Sequence, residues 1–156
     1  MQRYSRQIIL ANFGNEAQNL LAKSKVLVVG AGGLGVPVLQ YLAAAGVGKL
    51  GIADGDIVEI SNLQRQVLYN ETELGKNKAQ VAKEKITKLN STIELEVYDF
   101  FIDTLSIFKI ITDYDVVVDC TDHFSIRYLL NDVCFLHNKP LVFASIYQFE
   151  AQLSVF

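Results

Sequence analysis

Cysteine is scarce in this chain: only Cys120 and Cys134 occur, well apart from one another. That excludes a disulfide framework and a CxxC zinc pair. A surplus of positive charge is also missing. The net charge is −3, from 14 Lys and Arg against 17 Asp and Glu, which argues against a general nucleic-acid binder, because a phosphate backbone demands a basic face. The opening segment Met1-Gln2-Arg3-Tyr4-Ser5-Arg6-Gln7 lacks the apolar stretch of a secretion signal, so a cytoplasmic protein is expected. Internal repeats and low-complexity segments are absent. Charge itself is missing from Val26 to Gly48, a length that could span a bilayer. Clustered glycines would break such a span, and Pro37 suits the first turn of a helix better than a membrane centre. No membrane segment is expected. Apolar residues make up 51% of the 156 residues, enough for one domain with a real core.

Within the charge-free run, Val26-Leu27-Val28-Val29 ends abruptly in Gly30-Ala31-Gly32-Gly33-Leu34-Gly35. Gly30, Gly32 and Gly35 fit the GxGxxG spacing, in which missing Cβ atoms permit a tight turn and close approach of backbone to phosphate. A buried strand turning into a helix N-terminus presents free N–H groups and partial positive charge to an anion. Nucleotide binding is expected.

The rest of the chain alternates in kind. An amphipathic N-terminal arm spans Arg3 to Ala22, with Ile8, Ile9, Phe13, Ala17, Leu20 and Leu21 near helical spacing. Strands are predicted at Lys25–Val29, Lys49–Ala53, Ile93–Tyr98, Asp115–Asp119 and Leu141–Ser145. Helices are predicted at Leu34–Ala45, Gly75–Leu89, Thr104–Ile111 and Ser125–Leu136. Ala151–Phe156 reads as one more strand, and the domain is expected to be cut short at its C-terminal end. Alternating β and α elements imply a Rossmann-like, doubly wound and mainly parallel sheet with helices on both faces. Ligands in such sheets sit beyond the carboxyl ends of the strands. The glycines, Asp54 and Asp56, and Asp119 and Asp122 should therefore converge on one crevice.

Asp54, about twenty residues beyond the glycines, suits a ribose hydroxyl, although Asp54-Gly55-Asp56 is also good turn chemistry. NAD and ATP are served equally to this point. Lys76 and Lys78 then stand at a helix start, where the dipole disfavours cations unless they face a polyanion such as a triphosphate; the alternative is a solvated helix surface. Asp122, in the loop after a strand, is a better Mg²⁺ candidate than Asp119, which suits a turn cap. Cys120 reads as a small buried residue. A Cys120–His123 nucleophile–base pair is a minor alternative.

Taken in order, Tyr4-Ser5-Arg6-Gln7-Ile8-Ile9-Leu10, Gly30 to Gly35, Ala45-Gly46-Val47-Gly48, Asp54-Gly55-Asp56, Ser61-Asn62-Leu63-Gln64-Arg65-Gln66, Gly75-Lys76-Asn77-Lys78-Ala79 and Asp119-Cys120-Thr121-Asp122 resemble the ThiF/MoeB/HesA adenylyltransferases. These are similar to the adenylation domain of ubiquitin-activating E1 enzymes. The resemblance implies a single adenylation domain over residues 1–156 with a helical arm at 1–24. It implies ATP-dependent adenylylation of the C-terminal carboxylate of a ubiquitin-like sulfur carrier for molybdopterin or thiamine biosynthesis. Ser145-Ile146-Tyr147-Gln148-Phe149-Glu150 with Gln152 looks closer to the molybdopterin-synthase type. Carried over by motif, Gly30, Gly32, Gly33 and Gly35 cradle the nucleotide and Asp54 binds ribose. Asn62 and Arg65 reach the phosphates and Lys78 the triphosphate, Arg65 and Lys78 being catalytic; Ser61, Gln64, Asp122 and His123 also bind the nucleotide, and Asp122 holds Mg²⁺. Arg6 resembles an arginine lent to the partner's site in a homodimer. Zinc is expected only in a longer chain. Two positions depart from the family pattern: His123 replaces a usual Asn, and Ala151 a usual Gly. A NAD-dependent oxidoreductase domain and a non-catalytic dimerisation or carrier-binding module are the competing readings.

Overall fold

The computed structural model describes residues 2–156. Two short helices, α1 (Ser5–Ile8) and α2 (Gly14–Lys23), lead into an alternating series. Its strands are β1 (Lys25–Val29), β2 (Lys49–Ala53), β3 (Glu94–Tyr98), β4 (Val116–Asp119), β5 (Leu141–Tyr147) and β6 (Glu150–Val155). Its helices are α3 (Gly35–Ala45), α4 (Lys78–Leu89), α5 (Thr104–Ile110) and α6 (Phe124–Leu136). The sheet order is β3-β2-β1-β4-β5-β6. All pairs are parallel except β5 with β6.

Strands covered on both faces must be apolar on both, and the continuous run of β1 follows that rule. Val26 and Val28 face a core that includes Leu39 and Ala43 of α3 and Ala82 and Ile86 of α4. Leu27 and Val29 face Ile107 and Ile110 of α5 and Leu130 and Val133 of α6. The charge-free stretch is thus a strand, a turn and a helix. Among the described residues, no helix is long and apolar enough to cross a membrane.

Register fixes where ligand chemistry can occur. Val29 pairs with Ala53 on one side and with Asp119 on the other. The strands therefore end level, and Gly30, Asp54 and Cys120 start their loops at one height. Chain direction diverges between β1 and β4, which opens a crevice there.

Several boundaries differ from the sequence reading. The helical arm consists of two α-helices. Asn12 (φ 65°) and Gly14 (φ 63°) take the left-handed conformation that these residue types tolerate best, and the chain turns between them. Side-chain amides of Gln7 and Gln18 both donate to the Ala45 carbonyl, at 2.8 and 3.2 Å, closing the end of α3. Helix α4 begins at Lys78 instead of Gly75. Gly75 turns the chain at φ 80° and the Asn77 side chain caps the helix by accepting from Gln80 N–H. Strand β5 runs to Tyr147 because β6 pairs with it as a hairpin. Ala151 sits opposite Ile146 in regular antiparallel register. The positive φ of this hairpin falls on Gln148 (φ 52°), so Ala151 meets no backbone demand for glycine.

Candidate functional site

A cavity of about 520 Å³ opens at the carboxyl ends of β1, β2 and β4. The glycine loop forms its floor, and its glycines divide by task. Gly30 lies at φ 94°, and a Cβ there would come within 2.7 Å of the Cys120 carbonyl oxygen. A Cβ on Gly35 would come within 1.8 Å of the Gly30 carbonyl oxygen. These two glycines let the loop close on itself and on β4, and Gly35 does not reach the cavity. Gly32 and Gly33 line it. The backbone N–H groups of Gly32, Gly33 and Leu34 have no acceptor among the described residues. Unpaired donors at the entry to a helix are an anion seat.

Asp54 clamps this loop. Its Oδ2 accepts from Ala31 N–H at 2.7 Å, and its Oδ1 from Asp56 N–H at 2.8 Å. Burial pushes the Asp54 carboxyl above its usual range, while those two bonds and the charge of Lys78 pull it back down. The turn reading of Asp54 is thus realised in the structure, and the carboxylate still lines the cavity. From below, the buried Tyr69 hydroxyl donates to the Ala31 carbonyl at 2.7 Å. Tyr69→Phe leaves that carbonyl without its donor. The expected result is a loss of about 1 kcal/mol of stability, read from the midpoint of urea unfolding; an unchanged midpoint would show that the bond contributes nothing.

Three expected cation and amide positions converge on the cavity. Asn62, Arg65 and Lys78 all line it. The Arg65 stem lies over Gly33, its Cδ 3.4 Å from where a Cβ on that glycine would stand, and its Nη1 reaches only the Ser61 carbonyl at 3.4 Å. Lys78 is different. Its side chain is 6% exposed, and its Nζ lies 3.0 Å from Asp56 Oδ2. The anion that explains a lysine at a helix start is therefore, in this chain alone, Asp56. Asn77 ties the same loop down, its Nδ2 donating to the carbonyls of Asp54 and Asp56.

At the rim, Asp122 and His123 line the cavity with exposed side chains, Nε2 standing 3.7 Å from Oδ1. His123 also begins α6, its carbonyl accepting from Ile126 and Arg127 N–H. Asp119 is fully buried and caps the turn, Oδ1 accepting from the Thr121 N–H and hydroxyl. Burial pushes the Cys120 thiol up to about 12, which removes the thiolate that a Cys120–His123 pair would need. Asp122 is a lone, solvated carboxylate; among the described residues no three His, Cys, Asp or Glu gather as a metal cluster. Magnesium bound largely by water and phosphate oxygens needs only one or two carboxylates, so Asp122 fits that mode and no other. Ser61 and Gln64 are exposed and lie outside the lining, and so does Arg6 on the arm.

Among the lining residues that sequence reasoning missed are Gln66 and Arg127. Arg127 donates from Nη2 and Nε to the Thr121 carbonyl at 2.6 and 3.2 Å. Its guanidinium lies over the rings of Phe124 and Phe143. It holds the loop that carries Asp122. The available signal was its spacing: one helical turn after His123, it had to face back toward the loop.

Residues 4–156 match the model of the ThiF family. Over 156 residues the chain is 50% identical to a sulfur carrier protein adenylyltransferase of Thermus thermophilus, covering all of this chain and 58% of that protein. It is 46% identical over 154 residues to a probable molybdopterin-synthase adenylyltransferase of Porphyra purpurea, covering 99% of this chain and 40% of that one. Among solved structures, E. coli MccB with ATP superposes with a TM-score of 0.86 at 33% identity, over 95% of this chain and 46% of that chain. The chain thus spans little more than half, or less, of the proteins it matches. Glycine loop, clamped aspartate, cavity-facing arginine and lysine, and a match over nearly the whole length lead to one conclusion: the chain belongs to the ThiF family.

Proposed function

We propose that this protein adenylylates the C-terminal carboxylate of a small ubiquitin-like sulfur-carrier protein, consuming ATP and releasing pyrophosphate. One observation carries the reading: unpaired loop N–H groups, Arg65 and Lys78 surround a single cavity of about 520 Å³. The names of the relatives supply the reaction class. An oxidoreductase reading leaves Arg65 without a task, since its side chain finds only the Ser61 carbonyl at 3.4 Å among the described residues, and a non-catalytic module has no reason to keep it.

The chemistry fits the side chains. A carboxylate is already ionised at neutral pH, so no general base is required. One of its oxygens attacks the α-phosphorus, an acyl-phosphate bond forms, the bond to the bridging oxygen breaks, and pyrophosphate leaves with that electron pair. The barrier lies in bringing anions together and stabilising charge on the phosphoryl oxygens, which fixed donors and cations do electrostatically. In this reading Asp54 holds ribose, and the Gly32–Leu34 N–H groups, Asn62, Arg65 and Lys78 hold phosphate. Ser61 supports Arg65 through its carbonyl. Asp122 would hold Mg²⁺, which supplies further charge neutralisation on the phosphates. Arg6 is exposed and lies outside the lining of its own chain's cavity, which supports delivery to a partner's site in a homodimer.

ATP–pyrophosphate exchange tests the proposal. The intact protein with a molybdopterin-synthase-type carrier should exchange label in a Mg²⁺-dependent way. A thiamine-type carrier should support less. Exchange with neither carrier overturns the reading.

A further inference from the structure

Gln66 is 3% exposed and lines the cavity, yet neither end of its carboxamide is bonded. Its Oε1 is buried without a partner, and its Nε2 has no acceptor among the described residues. Its backbone is fully used, the N–H donating to the Asn62 carbonyl and the carbonyl accepting from the Tyr69 N–H. A methionine or leucine of similar size would fill this space without burying an unpaired amide. The amide therefore has no internal purpose that packing explains.

Its position supplies one. Nε2 lies 3.5 Å from the point where a side chain on Gly32 would begin. Gly32 carries an unpaired N–H and follows Ala31, whose own N–H is bonded to Asp54. Resting on the nucleotide reading above, ribose on Asp54 puts the phosphate attached to it, the α-phosphate, over Gly32. Turned about its last bond, the carboxamide can show the cavity either end, and an anion selects the donor. We infer that Gln66 donates from Nε2 to a non-bridging oxygen of the α-phosphate, completing with the Gly32 and Gly33 N–H groups an uncharged cradle at the reacting phosphorus. Arg65 and Lys78 then serve charge, and Gln66 serves position.

Calorimetric binding of adenosine, AMP and ATP to the intact protein with Mg²⁺ separates the possibilities. Gln66→Met should weaken AMP and ATP about tenfold each, as for one lost hydrogen bond to a charged group, and leave adenosine unchanged. Gln66→Glu, of nearly the same size, should weaken AMP and ATP further still and again spare adenosine; it carries the test should the methionine variant not fold. Equal weakening of adenosine and AMP in the variants, or no weakening at all, overturns the assignment. Failure of the unaltered protein to bind any of the three overturns the nucleotide reading itself, and this inference with it.

Discussion

Arg65→Ala should abolish adenylation, lowering ATP–pyrophosphate exchange by about a thousandfold, as arginine removal does at phosphoryl-transfer centres, while the melting temperature stays near that of the unaltered protein. Both halves follow from the same geometry. Arg65 is exposed, and the one hydrogen bond its side chain makes among the described residues is a long one, 3.4 Å to the Ser61 carbonyl. Little of the fold depends on it. Its stem nonetheless lies across Gly33 at the mouth of the loop whose N–H groups have no acceptor, where a second anion-binding group belongs. Arg65→Lys should recover only part of the activity, because an ammonium lacks the planar fork that meets two phosphoryl oxygens at once. Exchange that survives Arg65→Ala would remove Arg65 from the chemistry.

Much of this arrangement was legible in the residues, and the limits have physical causes. Strands buried on both faces announce themselves as unbroken apolar runs, and Val26–Val29 and Val116–Val118 were readable for that reason. Level strand ends then gathered the glycine loop, Asp54 and Asp122 without further information. The break within the arm was not legible, because helical spacing of apolar residues cannot reveal that Asn12 and Gly14 both turn left-handed. The partner of Lys78 was hidden because Asp56 lies far away in sequence and is brought near by the bridge between Ile57 and Asn77 and by the bond from the Lys78 N–H to the Asp56 carbonyl. Gln66 was overlooked for a different reason. Beside Arg65 in a polar segment it looks like another solvated residue, and only burial distinguishes it.

The Lys78–Asp56 pair leads to the second large effect. Lys78→Met should lower exchange by about a hundredfold or more, yet destabilise the fold little. Asp56 is 57% exposed at its side chain and keeps water when its partner is removed, whereas the lysine stem is replaced by another apolar one. For a bound polyanion the change is far worse. Without Lys78, the carboxylates of Asp54 and Asp56 both face the phosphates, and Asp56 has lost the cation paired with it. Adding Asp56→Asn to Lys78→Met should therefore restore part of the lost exchange, about threefold, since a half-exposed carboxylate a few ångströms from phosphate repels it by somewhat less than 1 kcal/mol after screening by water. A pH profile gives an independent reading. Burial raises the Asp54 carboxyl, and the bonds from the Ala31 and Asp56 N–H groups and, after them, the positive charge of Lys78 pull it back. Removing that charge lets Asp54 take up a proton at higher pH, so the acid limb of the exchange profile should move upward in Lys78→Met. A double variant no more active than Lys78→Met would mean that the lysine acts on the nucleotide alone, and that masking Asp56 is no part of its task.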